Sequence, residues 1–324
     1  MNVPANSVLS VRDLVVRFPG SGARRQGFTA VRGVSLDIAP GRILALVGES
    51  GSGKTSLARA ILRLLPIASG RVLFHGEDLA ALDSRRLRAA RRNIQAVFQD
   101  PMAALSPRRN VLQALLEPLD HFRVGTPAHR RERAIAALER VGLDAALAQR
   151  YPHELSGGQA QRVSLARALV TEPELIIADE PVSSLDVSVQ AQVIELIRDL
   201  RARLGLAFLF VSHDLSVVRR LADEVAVMYL GTVVESGPAA ALFARPAHPY
   251  TRCLLASVPV PDPDHAPPAV VGSESPSALT PTGGCVFHMR CPEKMGRCAT
   301  EAPAESPASP TDADHRVRCH LWNA

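Results

Sequence analysis

The sequence predicts an α/β fold built on a largely parallel sheet. Three observations predict it. Short apolar runs of buried-strand type alternate with segments of helical periodicity, one such run passes through a Gly-rich turn into a helix, and a helical stretch interrupts the alternation in mid-chain. The 324 residues, 47% of them hydrophobic, suffice for one large core with satellites or for two domains.

In chain order, residues 8–18 and 30–38 are Val-rich and partly alternating, as strands are. Residues 42–47 (RILALV) form a continuous apolar run of the kind buried on both faces of a sheet. Residues 55–65 have helical spacing, 82–92 predict a basic helix and 93–98 a strand. Residues 111–119, 128–141 and 159–170 predict helices, so that about 100–165 reads as a helical subdomain inserted in the sheet. Residues 175–178 and 207–211 are short buried strands. Between them 187–204 is a helix with Val193, Ile194, Leu196, Ile197 and Leu200 on its apolar positions. Thirteen of the 25 prolines and all five cysteines follow Phe243. The shift divides the chain into a main domain, 1–245, and a loop-rich Pro/Cys tail, 246–324.

A net charge of +5 and a pI near 9.2 suit a nucleic acid, an anionic membrane surface or a phosphate ligand alike, and equally an ordinary basic soluble protein. No apolar run approaches the ~20 residues of a membrane span. Arg12, Asp13 and Arg17 break any N-terminal signal-like stretch, so the chain is expected in the cytosol, docking on other subunits if it works at a membrane. In that reducing compartment clustered cysteines point to a metal or to nothing.

The chemistry-bearing motifs begin at Gly48-Glu49-Ser50-Gly51-Ser52-Gly53-Lys54-Thr55, which fits the P-loop pattern between a strand and a helix. Its glycines allow a turn whose backbone N–H groups face phosphate; Lys54 would reach the β- and γ-phosphates and the Thr55 hydroxyl would bind Mg²⁺, with Ser56 following in the same turn. The apolar strand 175–178 runs into Asp179 and Glu180. Asp179 is placed to hold Mg²⁺ through water and Glu180 to polarise the attacking water.

With these, four further motifs carry a resemblance. Leu155-Ser156-Gly157-Gly158-Gln159 resembles the signature of ATP-binding-cassette proteins. Gln99 in VFQD resembles their Q-loop, a Mg²⁺ and nucleotide contact; Ser183-Ser184-Leu185-Asp186 resembles the D-loop, and His213 in VSHD the switch histidine. The resemblance implies a P-loop NTPase (RecA-like) parallel sheet with an antiparallel β subdomain, a helical subdomain and the Pro/Cys-rich tail. It implies ATP and Mg²⁺ as ligands, and two cassettes that sandwich ATP between one P-loop and the other's signature. The signature itself opens a helix at Ser156, Gly157 and Gly158, which presents donors and a positive dipole end to an anion. Phe18 resembles the aromatic that stacks on adenine, with Phe28 the competing candidate.

The tail narrows the family. His248-Pro249-Tyr250-Thr251-Arg252, PVPDP at 259–263, the GC-FH-RC segment ending at Cys291 and CHLW at 319–322 resemble oligopeptide/dipeptide importer ATPases. FQDPMAALSPRRNV and LSGGQAQRV look more like the F-type than the D-type subunit. The resemblance implies a second ATPase subunit, a paralogue of the D-type, and two transmembrane permease subunits. It further implies an extracytoplasmic solute-binding protein, no nucleic acid, and a peripheral place on the cytoplasmic face of the inner membrane. Peptides, nickel chelates and opines all remain open as solutes. A DNA-repair ATPase would carry a long coiled coil where only 55 residues separate Gln99 from Leu155, and a translation ATPase would carry two cassettes. Intact Glu180 and His213 argue against a pure nucleotide-binding regulator. Cys285, Cys291, Cys298 and Cys319, separated by five, six and 20 residues, match neither a common ferredoxin nor a zinc-ribbon spacing. The tail is too poor in apolar residues to fold alone, and resembles the cluster-bearing kind of some dipeptide importers, so a [4Fe–4S] cluster is expected there. Zinc, with His288 and His320 as further donors, is the alternative. Cys253 is expected to be separate and buried.

Overall fold

The computed structural model describes residues 7–20, 27–258, 283–309 and 312–322; the PVPDP segment lies outside them. The strands are β1 (Leu9–Phe18), β2 (Phe28–Ile38), β3 (Ile43–Val47), β4 (Ser69–Phe74), β5 (Glu77–Asp78), β6 (Ile94–Val97), β7 (Leu175–Asp179), β8 (Ala207–Ser212), β9 (Glu224–Tyr229), β10 (Thr232–Pro238), β11 (Ser306–Ser309) and β12 (Asp312–Val317). β2, β1, β4 and β5 form a four-stranded sheet in that order, antiparallel where β4 meets β5. The chain divides into two compact units. One comprises Met1–Ser10, Asp37–Ile43 and Leu73–Val211, the other Val11–Leu36, Leu44–Val72 and Ser212–Ala324.

In the first unit β6, β7 and β8 are parallel, with Gln95 opposite Ile176 and Ile177 opposite Leu209. Every residue of β7 and β8 is buried, which is why both read as unbroken apolar runs rather than alternating ones. Between β6 and β7 the chain holds helices Pro101–Ala104, Val111–His121, Pro127–Arg140 and Gly157–Leu169 and no strand. Their starts are written in the sequence: Asn110 and Gln113 cap each other reciprocally, and Thr126 caps the helix that Pro127 opens. Helix Val187–Leu204 buries Val193, Ile194, Ile197 and Leu200, leaving Leu196 only partly covered.

In the second unit β3 runs parallel to β9, β9 antiparallel to β10, β10 antiparallel to β12 and β12 antiparallel to β11. The helix predicted over 55–65 spans Lys54–Ile61. It stops because Arg63 takes a φ of 56° and the Leu64 N–H turns back onto Arg59 O at 2.8 Å. The tail is less loop-like than its composition suggests: it holds helix Pro249–Ala256 and two strands that continue the β9–β10 ladder. β12 (DADHRV) escapes a sequence reading because only His315 and Val317 of its six residues are buried. Among the described residues no helix is long and apolar enough to cross a membrane.

One buried carboxylate ties these parts together. Glu235 on β10 accepts the N–H groups of Ala247 and His248 at 2.8 Å each, and His315 of β12 sits 2.7 Å from its Oε1. All four groups are buried. Burial also pushes the His248 imidazole down to about 4, so this ring stays neutral beside the carboxylate. Removing Glu235 orphans two buried N–H groups and a ring nitrogen, each costing about 1–3 kcal/mol. Glu235→Ala should therefore lose about 3 kcal/mol or more in denaturant unfolding of the full chain; a loss within ~0.5 kcal/mol, as at an ordinary surface site, would show that the tail does not hang on this carboxylate.

Candidate functional site

In the second unit the P-loop leaves the fully buried β3 and closes onto helix Lys54–Ile61. Two of its glycines are forced by close backbone approach. A Cβ on Gly48 would lie 2.1 Å from Met228 O, and one on Gly53, whose φ is 103°, 2.3 Å from Ala30 O. The β9–β10 turn supports the loop, Gly231 N–H donating to Ser52 O at 2.8 Å. Ser50 and Gly51 are exposed, Thr55 and Ser56 partly buried. Lys54 is buried, and its Nζ donates to Gly48 O at 2.7 Å and Glu49 O at 2.9 Å, with Ser52 Oγ at 3.5 Å. The cation thus stands inside the curl of the loop, where phosphate oxygens would meet it. Phe18 and Phe28, the two candidates for the base, stack on each other with centroids 5.0 Å apart and planes 16° apart. His213 is exposed just past β8, immediately before Asp214, which caps the next helix.

The same unit shows a contact that the sequence gives no signal for. Arg290 forms a fork on Glu49 of the P-loop, Nη1 to Oε2 at 2.8 Å and Nη2 to Oε1 at 2.9 Å. The Glu49 N–H donates to the Tyr250 hydroxyl at 2.9 Å. Tyr250 is fully buried and burial pushes its phenol well above the usual tyrosine range, so the hydroxyl keeps its proton. Tyr229, at the end of β9, packs on Tyr250 and on Phe287 with centroids 4.6 and 5.3 Å away, and the Arg290 guanidinium lies 5.8 Å from the Tyr229 and Phe287 rings.

In the first unit Asp179 is buried at the end of β7. Glu180, which follows, has a φ of 49°, a left-handed value that a non-glycine residue holds only where its surroundings fix it. They do: its N–H donates to Val211 O at 2.9 Å and its carbonyl accepts the Ser183 hydroxyl at 3.1 Å. Helix Gly157–Leu169 starts at the signature. Ser156 is its N-cap, accepting the Gln159 N–H at 3.3 Å while Gln159 Oε1 accepts the Ser156 N–H at 2.9 Å. Ser156 and Gly157 are exposed, Gly158 and Gln159 partly so, and the start of this helix therefore faces outward. Gln99 is exposed beyond β6, followed by Asp100, the cap of Pro101–Ala104. Asp186 caps helix Val187–Leu204 by accepting the Ser188 and Val189 N–H groups. Its hydrogen bond from the Ser188 hydroxyl at 2.6 Å, and then that from Val189, hold its carboxyl below the usual range.

The tail cysteines are free thiols. Cys285, Cys298 and Cys319 are buried and Cys291 partly buried; the Cys285 N–H donates to Cys298 O at 2.8 Å. Burial, and then the neighbouring thiols of Cys298, Cys319 and Cys291, push Cys285 up to about 11. Among the described residues no three His, Cys, Asp or Glu side chains stand close enough to hold a single metal ion, the convergence a zinc site requires. His288 Nδ1 lies 2.8 Å from Cys285 O and His320 Nε2 2.8 Å from Glu301 O, so each ring has a backbone partner. Cys253 is half-buried rather than buried, and it packs against the apolar cluster that includes Cys285 and Cys298.

Comparison with known proteins agrees with this anatomy. Residues 31–183 match the ABC transporter family and residues 234–298 the oligopeptide/dipeptide transporter C-terminal region. A Brucella ovis protein named as a peptide import ATP-binding protein is 49% identical over 91% of this chain and 93% of its own. The oligopeptide transport ATP-binding protein AppF of Bacillus subtilis is 45% identical over 98% of both. Among solved structures, an ATP-binding cassette captured as a post-hydrolysis dimer with ADP and Pi aligns at a TM-score of 0.64 and 29% identity, over 71% of this chain and 98% of that one. With a P-loop, a carboxylate strand and a signature helix on one side and matches that run through the tail on the other, the chain belongs to the ATP-binding subunits of oligopeptide/dipeptide ABC transporters.

Proposed function

We propose that the chain is the ATP-hydrolysing subunit of a membrane importer for oligopeptides or dipeptides. The observation that carries the reading is the joint presence of a built P-loop, a capped and outward-facing signature helix, and a tail matching the oligopeptide/dipeptide type. Nickel chelates or opines would be driven in by the same machinery, since the solute is met by other subunits. In this reading residues 1–245 are the cassette, with 100–165 its helical subdomain, and 246–324 the tail.

The roles follow from the chemistry of each group. Lys54 and the P-loop amides bind the β- and γ-phosphates. The Thr55 hydroxyl, the Asp179 carboxylate and the Gln99 amide oxygen are hard donors of the kind Mg²⁺ prefers, and bound Mg²⁺ would offset charge on the transferring phosphate. Glu180, held in its left-handed turn, takes a proton from the attacking water, and His213 assists at the γ-phosphate. Phe18, backed by Phe28, offers a face to adenine. The signature helix of one subunit presents Ser156, Gly157, Gly158 and Gln159 to the nucleotide held by a second ATPase subunit, with Asp186 fixing the adjoining turn. Glu180→Gln should cut turnover in the assembled transporter by about 100-fold or more while leaving ATP-dependent dimerisation in place. Lys54→Ala should weaken binding of ATP itself. Near-normal turnover in Glu180→Gln would sink the base assignment.

The partners of this reading are a paralogous ATPase of the D-type and two permease subunits, at the cytoplasmic face of the inner membrane, with a solute-binding protein beyond it. The helical region after Gln99 should receive a short cytoplasmic helix from a permease. Photocrosslinkers at residues 103–109 should label membrane subunits in the assembled complex; labels confined to soluble proteins would count against it.

The four cysteines hold a [4Fe–4S] cluster in this reading. A cluster gives each thiolate its own iron, so its sulfurs need not converge on one point as zinc ligands do. Bound iron would also offset the repulsion and burial that keep Cys285, Cys291 and Cys319 protonated when bare. Anaerobically purified protein should carry about four irons and a broad absorbance near roughly 400 nm. Folded, metal-free protein would remove the assignment, and colourless protein with stoichiometric zinc would replace it.

A further inference from the structure

The tail meets the nucleotide loop at Glu49. Glu49 lies between Gly48 and Ser50. Arg290 neutralises its carboxylate through a two-bond fork, Tyr250 accepts its N–H, and its carbonyl accepts both the Lys54 ammonium and the Ser52 N–H. The Arg290 side chain is only 14% exposed and that of Glu49 30%, so the pair is shielded from solvent more than an ordinary surface ion pair. Arg290 and Tyr250 belong to the tail, and Lys54 is the lysine of the phosphate site.

This arrangement has an electrostatic sense. Glu49 puts a negative charge inside a loop meant to receive a triphosphate. Unpaired, that charge would repel the ligand; paired in a bidentate fork, it becomes part of a neutral, directional anchor. The Tyr250 hydroxyl holds the Gly48–Glu49 peptide, whose carbonyl, Gly48 O, accepts the Lys54 ammonium at 2.7 Å.

We infer that Tyr250 and Arg290 are positioning residues of the nucleotide site, so that the C-terminal tail is a working part of ATP binding. The inference rests on the reading of the P-loop as an ATP site and adds the tail to it. It concerns affinity rather than the chemical step, because both side chains act on Glu49 of the phosphate-binding loop.

The test is equilibrium titration of the full-length chain with ATP and Mg²⁺. Arg290→Ala should bind about tenfold more weakly, the effect of one close unscreened charge, and Tyr250→Phe about threefold more weakly. The double variant Glu49→Gln with Arg290→Ala removes the repelling charge and should return to within about threefold of wild type. A merely structural arginine would not be rescued in this way. In the assembled transporter the loss should appear in KM for ATP with kcat within about twofold. Lys54→Ala is the control. If it too binds ATP normally, the ATP-site reading fails; if only it is weakened, the tail inference alone fails. Thermal melts report whether Arg290→Ala folds, and if it does not, Tyr250→Phe decides. Wild-type affinity in Tyr250→Phe and in any folded Arg290→Ala, or a double variant as weak as Arg290→Ala, overturns the inference.

Discussion

The P-loop can exist only where backbone meets backbone without side chains between. Gly48 and Gly53 sit so close to the carbonyls of Met228 and Ala30 that no Cβ fits at either place. The strands that carry those carbonyls, β9 and β2, therefore have to be in position before the loop can close. The β9–β10 turn adds the hydrogen bond from Gly231 to Ser52, and only then is the Lys54 ammonium enclosed by carbonyls. A cation buried at the cost of desolvation is tolerable because the loop's own oxygens replace its water.

The tail solves a shortage of apolar residues by borrowing. Taken alone it lacks a core, as its composition indicates. Folded, it buries Phe287 against Tyr229 and Tyr250 and adds β12 to β10, while Glu235 satisfies two N–H groups and His315 at the seam. A metal is thus not required to explain why the described part of the tail packs against β9 and β10. Whatever the cysteines hold would act on a segment already anchored, which separates the question of metal content from that of folding.

How much of this was legible in the sequence follows from which interactions are local. β3, β7 and β8 are apolar runs because both their faces are covered, and such runs are visible in one dimension. The caps at Asn110, Thr126, Ser156 and Asp186 depend on residues two or three positions apart, so they too can be read directly. β10 and β12 were hidden because each buries a polar residue, Glu235 and His315, where a strand pattern expects an apolar one. Of the site, the motif residues were legible by their spacing. The Arg290 fork was not, because an ion pair leaves no mark on the sequence around either partner. The pairing of Phe18 with Phe28 was half visible: both rings were candidates, but their stacking depends on how β1 and β2 lie side by side.

The partners of Glu49 lie 201 and 241 residues further along the chain. During synthesis from the N-terminus, the P-loop emerges long before Tyr250 and Arg290 exist, and such distant contacts form last. An unfinished chain, or one ended early by a frameshift, carries a loop with its carboxylate uncovered. Order of manufacture thus bears on quality control: Tyr250 and Arg290 are made 201 and 241 residues after Glu49, so a chain cut short before them lacks both of its contacts to the loop.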